Sequence, residues 1–404
     1  MHESAADPPT SAPGSSAVPV TERATGAPAS TRSANFVAAG ILLSRISGLI
    51  RQRVFAQYFA TSLYADVFTA ALRMPTVLQN LLGEGALSAS FIPVYAELIE
   101  QGRKEEAGRV AGAVFALLVA LAGGISLIGI FAAPVIVSIF TMGFEGVRRE
   151  LTITCVRIIF PMAALLVLSA WALGIQNSHR RFFISYVAPV LWNAAMIATL
   201  LFFGRRMDLA ELVVALAWGA LAGGVLQFAV QLPRVLKLER DLKIRWDTQL
   251  EGVRTALRNV GPVVMGRGVV QLSSYIEILL ASYLVAGGVA ALGYAQMLYL
   301  LPVSLFGMSV AAAELPELAR QRTADVEVLR HRVNAGLRQI AVFVVPSAVA
   351  CLLLGDIVVA AVYQTGDFGR ADTLFVWVVL AGYAIGLLAS TATRLFSSAY
   401  YALH

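Results

Sequence analysis

The chain has 404 residues, of which 58% are hydrophobic and only 14% are charged, with a formal net charge of +6. A soluble domain is nearer a quarter charged, so this composition and the mean hydropathy of +0.73 exclude an ordinary soluble enzyme. Too little polar surface is left to cover a globule, which indicates that the main solvent of the chain is lipid.

The first 34 residues differ from the rest, being rich in Ser, Ala, Pro and Thr without any apolar run. A signal peptide needs such a run, so residues 1–34 are predicted to be a disordered tail that stays on the chain. Cys155 and Cys351 lie in apolar stretches and are predicted to be buried thiols. The four histidines show no metal-ligand spacing.

Ten apolar segments follow, each near the length of about 20 residues that a helix needs to cross the hydrocarbon core. The predicted fold class is therefore an all-α polytopic membrane protein. The predicted spans are 36–60, 64–92, 109–139, 151–176, 184–204, 209–232, 256–285, 288–315, 337–363 and 373–400.

The basic residues outside these spans are distributed unevenly between the two sets of alternating connections. Twenty lie in the set that includes the N-terminal tail and segments 98–109, 177–183, 233–256 and 318–337, and five lie in the other set. Basic loops stay cytoplasmic, so we expect a multi-pass membrane protein with its N-terminus inside. The net positive charge is then explained by basic loops that face the anionic lipids of the inner leaflet, and it does not indicate nucleic-acid binding.

Six arginines remain within the spans, where a charge usually faces a bundle interior or a water-filled cavity. In the second span Asp66, Arg73 and Glu84 are seven and eleven residues apart, which places them within ~20° of one line on an ideal helix. Asn80 joins this stripe. A polar line about 27 Å long cannot face lipid.

The first span carries Arg45 and Arg51, which are ~120° apart on an ideal helix, with Ser47-Gly48 between them as a candidate bend. We interpret spans one and two as the lining of a cationic cavity, with Asp66 and Glu84 as partial counter-charges. Arginine binds phosphate oxygens with two parallel hydrogen bonds, so such a cavity suits a phosphate-bearing anion.

A weak internal repeat relates residues 73–97 to residues 300–320: each has an early proline, a small-residue stretch and then I/L-P-x-x-A. It predicts two similarly built lobes that start near residues 36 and 256. Transporters with such repeats bind their substrate between them.

Several segments resemble the MurJ/MviN family of lipid II flippases, which belongs to the MOP exporter superfamily. The most specific are SRISGLIR at 44–51, ADVFTAALRMP at 65–75 and GEGALSASFIPV at 83–94. Further matches are RIIFP at 157–161, APVLWN at 188–193, GGVLQFAVQLP at 223–233, VPSAVA at 345–350 and YQTGDF at 363–368.

The resemblance implies a two-lobed MOP-type helical bundle, with a first lobe of six helices at 35–235 and a second, incomplete lobe of four helices at 236–404. It implies a transporter without catalytic residues, metal or cofactor. The substrate would be lipid II, moved from the inner to the outer leaflet by alternating access, with membrane lipids and cell-wall synthesis proteins as partners. The family's substrate-binding positions fall on Ser44, Arg45, Arg51, Asp66, Arg73 and Glu84.

Three departures from the family pattern leave alternatives open. Gln79 and Asn80 stand where the family often has a further arginine, Met297 replaces the eighth-span arginine, and ten spans are predicted where the family has fourteen. Arg267 could restore a cation. The alternatives are a flippase for another polyprenyl-pyrophosphate-linked glycan and a degenerate, non-transporting homologue that scaffolds envelope synthesis.

Overall fold

A computed structural model describes residues 31–302 and 326–393 except Thr248, together with Phe396. The described residues form helices and short connections, with no strand among them. The all-α prediction is therefore confirmed. The tail at 1–30 and most of the second copy of the repeat lie outside the described residues, while residues 31–34 already belong to the first helix.

Twelve α-helices and one π-helical segment account for nearly all of the described residues. In chain order they are α1 Thr31–Phe59, α2 Leu63–Leu78, π1 Gln79–Phe91, α3 Ile92–Glu100, α4 Lys104–Phe140, α5 Gly146–Ser178, α6 Phe182–Phe203, α7 Leu209–Leu238, α8 Glu251–Ser282, α9 Gly288–Pro302, α10 Val326–Leu353, α11 Gly355–Tyr363 and α12 Arg370–Ile385.

Helix occupies the described part of all ten predicted spans, yet fewer helices meet the length and apolarity of a membrane span. Within the described residues, five helices are long and apolar enough to cross a membrane: Lys104–Phe140, Gly146–Ser178, Phe183–Phe203, Leu209–Leu238 and Asn334–Leu353. A sixth is added if Arg370–Ile385 and Leu387–Thr393, which meet at 46°, form one bent span. Helix α1 carries four arginines, and α9 is described only to Pro302. The count of ten spans therefore stays a prediction.

The connections between helices gather at two ends of the bundle. The loops near Thr61, Gly143, Gly287 and Gly366 contact one another at one end, here called the Thr61 end. The opposite end, here called the Arg180 end, holds the loops at 101–103, 179–181 and 239–250. These are the two sets of connections that the charge distribution separates.

Two main buried apolar cores hold the bundle together, beside a small third cluster around Ile340. The larger lies toward the Thr61 end and draws side chains from α1, α2, α9 and α11, with Phe55 packed 5.4 Å from Phe68 and 6.1 Å from Tyr294 between ring centroids. The smaller lies toward the Arg180 end, around Trp171. Cys155 is buried within the first core as predicted, whereas Cys351 is only half-buried.

The second span is not a uniform α-helix, because it changes to a π-helix at Gln79. Pro75 lies four residues earlier and removes one backbone donor, and Thr76 Oγ1 donates to the Leu72 carbonyl over 2.5 Å. A π-helix advances by fewer degrees per residue than an α-helix, so angles drawn on an ideal α-helix do not extend past Gln79. The predicted alignment of Glu84 with Asp66 and Arg73 therefore does not follow.

The segment that joins α7 to α8 is anchored at the Arg180 end. Tyr95 OH donates to Glu239 Oε2 over 2.5 Å and lies 3.0 Å from His179 Nε2. Burial raises the pKa of the Glu239 carboxyl, and burial together with Lys104 lowers the pKa of His179. These contacts fix the start of α8, whose Gly252 lies against Val94 and Val110.

Candidate functional site

A cavity of about 560 Å³ is lined by α1, α2, π1, α5, α6, α7 and α9. Polar side chains concentrate on α1, α2, π1 and α9, while α5, α6 and α7 supply mostly apolar ones. The polar lining residues are Arg51, Gln52, Thr69, Arg73, Thr76, Gln79, Asn80, Gln227 and Gln296. The predicted cationic cavity lined by the first two spans is therefore present. Its wall is completed by α9, which belongs to the second half of the chain (residues 236–404; the first half is residues 35–235).

Arg51 lines the cavity and contacts Trp192 and Gln52. Its guanidinium lies 5.1 Å above the Trp192 ring, and its Nη2 donates a long hydrogen bond of 3.3 Å to Gln52 Oε1. Its Nε is buried without a hydrogen-bond partner, and no described carboxylate forms an ion pair with it. A partly buried guanidinium without an ion-pair partner among the described residues is costly, so Arg51 is available to an anionic ligand.

Arg73 also lines the cavity but is tied to the second half. Its Nη2 donates to Gln296 Oε1 on α9, and its Nη1 lies 3.5 Å from Glu277 Oε2 on α8. Glu277 in turn accepts a hydrogen bond from Tyr383 OH on α12. Arg73 therefore connects the cavity wall to three helices of the second half.

The positions that depart from the family pattern all face this cavity. Gln79, Asn80 and Met297 line it, and Asn80 Nδ2 donates to Gln271 Oε1 over 3.2 Å. A neutral hydrogen bond therefore joins π1 to α8 at one of these positions. For Arg267 only the helical backbone is described, so its proposed compensating role stays a prediction.

Asp66 does not face the cavity, which corrects the expected common volume for Asp66, Arg45 and Arg73. It is fully buried, 2.6 Å from Arg148 Nη2. Its carboxylate also accepts the backbone N–H groups of Gly287 (2.6 Å) and Ala290 (2.7 Å), at the N-terminus of α9. A carboxylate on α2 therefore caps a helix of the second half, where the helix dipole favours negative charge.

Further contacts between the halves surround Asp66 at the Thr61 end. Tyr294 OH donates to the Ala60 carbonyl over 2.9 Å, and the Asp367 N–H donates to the Gln57 carbonyl over 3.0 Å. Gly287 has φ +94°, and a Cβ there would lie 2.0 Å from the Thr61 carbonyl oxygen. Only glycine fits so close an approach, and the halves are tightly joined at this end.

The remaining predicted residues lie outside the cavity wall or cannot be placed. Arg45 is exposed and Ser44 is partly exposed, and neither lines the cavity. The Ser44 carbonyl accepts a hydrogen bond from Ser47 Oγ over 2.9 Å. The Glu84 side chain lies outside the described part of the structure. The substrate-binding role of all three stays a prediction.

Sequence reasoning gave no role to four side chains that complete the arrangement. Trp192, Gln296, Glu277 and Arg148 hold Arg51, Arg73 and Asp66 in place. Glu277 gave a signal, because it is a carboxylate within an apolar segment. Arg148 lies in a predicted connection, although the structure places it in the first turn of α5, and Gln296 is neutral, so neither carries a sequence signal of a partner.

Comparison with known proteins places the chain in one family. The family model described as "Lipid II flippase MurJ" matches residues 55–404. The lipid II flippase MurJ of Burkholderia cenocepacia is 32% identical over 371 residues, which are 89% of this chain and 71% of that protein. The probable lipid II flippase MurJ of Haemophilus influenzae is 30% identical, covering 89% of this chain and 74% of that protein.

Solved structures give the same result at the level of the fold. A structure of lipid II flippase MurJ in an inward closed conformation superposes with a TM-score of 0.78 at 25% identity, covering 91% of this chain and 76% of that one. An inward-facing MATE family transporter of the MOP superfamily, at 17% identity and a TM-score of 0.66, shares the fold alone. The chain belongs to the MurJ family of lipid II flippases.

Proposed function

We propose that this protein moves lipid II from the inner to the outer leaflet of the bacterial cytoplasmic membrane by alternating access. The observation that carries the proposal is Arg51, whose guanidinium has no ion-pair partner among the described residues and lies in a cavity between the two halves of the bundle. The headgroup of lipid II is attached through a pyrophosphate, and a guanidinium binds phosphate oxygens by charge and by two parallel hydrogen bonds.

The apolar part of the cavity wall suits a lipid-linked substrate as well. Trp192 and Met196 on α6 and Leu216 on α7 lie across from the polar wall. A ligand with a charged headgroup linkage and a long apolar chain can then contact both kinds of surface. Arg45 and Ser44, at the exposed part of α1, are proposed to meet the headgroup in another conformation of the cycle.

The contacts at the Thr61 end supply the gate that alternating access needs. The buried Asp66–Arg148 pair and the capped N-terminus of α9 join the halves there, whereas Gly252 meets Val94 and Val110 through apolar contacts at the Arg180 end. We propose that the Asp66 contacts break when the cavity opens toward the outer leaflet. Asp66 would then act as a gate residue rather than as a direct ligand of the substrate.

The proposed orientation predicts which loops a membrane-impermeant thiol reagent can reach. In cells, a cysteine at Arg206 should be labelled from outside, because Arg206 lies in a connection of the set with few basic residues. A cysteine at Lys243 should be protected until the membrane is permeabilised. Lys243 is itself half exposed beside Glu105, so burial alone would not protect it. The reverse pattern of labelling would invert the proposed orientation.

Transport itself is tested with purified protein in liposomes that contain fluorescent lipid II. We expect the protein to expose inner-leaflet lipid II to an external quencher faster than protein-free liposomes do. A fluorescent phosphatidylglycerol serves as the control lipid and should not be moved. Equal quenching of lipid II with and without protein would contradict the proposed function.

A further inference from the structure

A further cavity, of about 620 Å³, opens on the outside of the bundle between α4 and α5. Within the described residues its walls come from positions 118–130 of α4 and 161–168 of α5, and we call it the α4/α5 groove. It shares no lining residue with the central cavity. Beside it, Leu127, Ile128 and Phe131 of α4 are 59%, 67% and 80% exposed, so the groove opens toward the hydrocarbon of the bilayer.

Two glycines on α4 leave the space that the groove occupies. A Cβ atom added at Gly123 or Gly124 would meet no neighbouring side chain or backbone within 4 Å. Gly129 on the same helix differs, because a Cβ there would lie 2.2 Å from the Phe160 ring. The packing of α4 on α5 therefore requires Gly129, whereas Gly123 and Gly124 only keep the groove open.

An arginine lies just beyond the groove on α5. Arg157 is seven residues before Ala164 and eleven before Leu168, so all three lie within ~20° of one line on an ideal helix. It stands one turn, or about 6 Å, from Pro161, on the side toward the Thr61 end, where α5 begins at Gly146.

The Arg157 side chain is exposed, although α5 is long and apolar enough to cross a membrane. Among the residues that the structure describes, no carboxylate forms an ion pair with it. An arginine in this position lays its methylene groups along apolar surface and extends its guanidinium toward the lipid phosphates. The groove therefore has an apolar wall and a cation at the end that is nearer the membrane surface.

We propose that the α4/α5 groove binds an anionic phospholipid from the leaflet at the Thr61 end, with one acyl chain in the groove and the phosphate at Arg157. The volume is that of an ordinary small-ligand pocket, and the wall is apolar as an acyl chain requires. A guanidinium binds phosphate oxygens by charge and by parallel hydrogen bonds. The groove is a site for a resident lipid and is distinct from the central cavity.

A transmembrane helix of another protein fits these observations less well. A helix with its side chains is about 10–12 Å across, so it would cover the groove without filling it. A lipid supplies both the narrow apolar chain and the anion. The inference does not rest on the proposed transport of lipid II.

The test is native mass spectrometry of the purified full chain, in which bound lipids are counted by mass. The probes are dipalmitoyl phosphatidylglycerol, phosphatidylcholine with the same chains, and inorganic phosphate. We expect one phosphatidylglycerol to bind more tightly than phosphatidylcholine, and inorganic phosphate not to displace it. Arg157→Gln should weaken phosphatidylglycerol binding about tenfold and leave phosphatidylcholine binding nearly unchanged.

A second variant fills the groove without touching the arginine. Gly124→Leu should weaken binding of both lipids about tenfold, because the leucine side chain occupies the space of the acyl chain. Leucine also favours helix formation and membrane insertion more than glycine does, so the variant should fold. Neither Arg157 nor Gly124 lines the central cavity, so lipid bound there should not respond.

Arg205→Gln and Gly382→Leu are the matched controls and should bind phosphatidylglycerol as the unmutated protein does. Arg205 is an exposed arginine beside Gly204 at the Thr61 end, and Gly382 on α12 is exposed with open space around an added Cβ. Unchanged phosphatidylglycerol binding in Arg157→Gln and Gly124→Leu proteins that still melt cooperatively overturns the inference. So does displacement of the lipid by inorganic phosphate, or a Gly124→Leu effect confined to the dissociation of a dimer.

Discussion

Replacing Arg51 by alanine should abolish lipid II transport while the protein still accumulates in the membrane. Arg51 is the cavity cation without an ion-pair partner among the described residues, so its removal takes away the group most available to a pyrophosphate. Insertion should not suffer, because a charge within a membrane span opposes insertion by at least ~2.5–3.5 kcal/mol. The measurement is complementation of a bacterium depleted of its own flippase, with membrane abundance determined in parallel.

One further variant distinguishes the charge of Arg51 from its hydrogen-bonding geometry, and a second serves as a control. Arg51→Lys should restore growth only in part, because an ammonium group is a point charge that cannot reproduce the two parallel hydrogen bonds of a guanidinium. Arg206→Ala should complement fully, since Arg206 lies in a loop over the Phe202 ring, away from the cavity. Normal growth with Arg51→Ala at normal abundance would remove Arg51 from the substrate site.

The second large effect is expected for Asp66→Ala. This substitution leaves Arg148 without its partner and two backbone donors of α9 unsatisfied in a buried place. Removing one partner of a buried ion pair costs about 3–5 kcal/mol. The closed arrangement of the Thr61 end should therefore lose most of its stability relative to the open arrangement. We expect loss of transport and faster thiol labelling of a cysteine at Ser282, which is buried at this end beside the Gly143 loop.

Asp208→Ala is the matched control for Asp66→Ala. Asp208 also caps a helix, since its Oδ1 accepts the Glu211 N–H over 2.8 Å, but it does so at an exposed position within its own helix. Loss of that cap should cost about 0.5–2 kcal/mol and leave transport intact. If Asp66→Ala transports lipid II normally and leaves the labelling rate of a cysteine at Ser282 unchanged, then Asp66 does not hold the gate closed.

The sequence predicted the helical fold and part of the cavity, because both depend on properties that one segment carries alone. Hydropathy marks a span, and the cost of a charge in hydrocarbon predicts that Arg51 and Arg73 face the bundle interior. The structure places both arginines in the cavity wall, with Asn80 from the same predicted stripe. Arg45 and Ser44 lie outside that wall in this conformation.

The sequence pattern could not predict which groups the Asp66 side chain contacts. Helical spacing predicts that Asp66 and Arg73 share a face, but it does not say what lies opposite each of them along the helix. Asp66 meets Arg148 and the start of α9, which arrive from distant parts of the chain. The π-helix that begins at Gln79 is a second limit, because no single residue there signals the change of pitch.

The central claim, that lipid II enters the cavity between the two halves, is tested most directly by photo-crosslinking in membranes. A photoreactive side chain is placed at Leu72, which lines the cavity, or at Phe131 on α4, which is 80% exposed. We expect lipid II to be captured at Leu72, with capture lost in the Arg51→Ala background, and not to be captured at Phe131 above the level of bulk phospholipid. Capture at Phe131 without capture at Leu72 would place the substrate on the outer surface of the bundle and contradict the account.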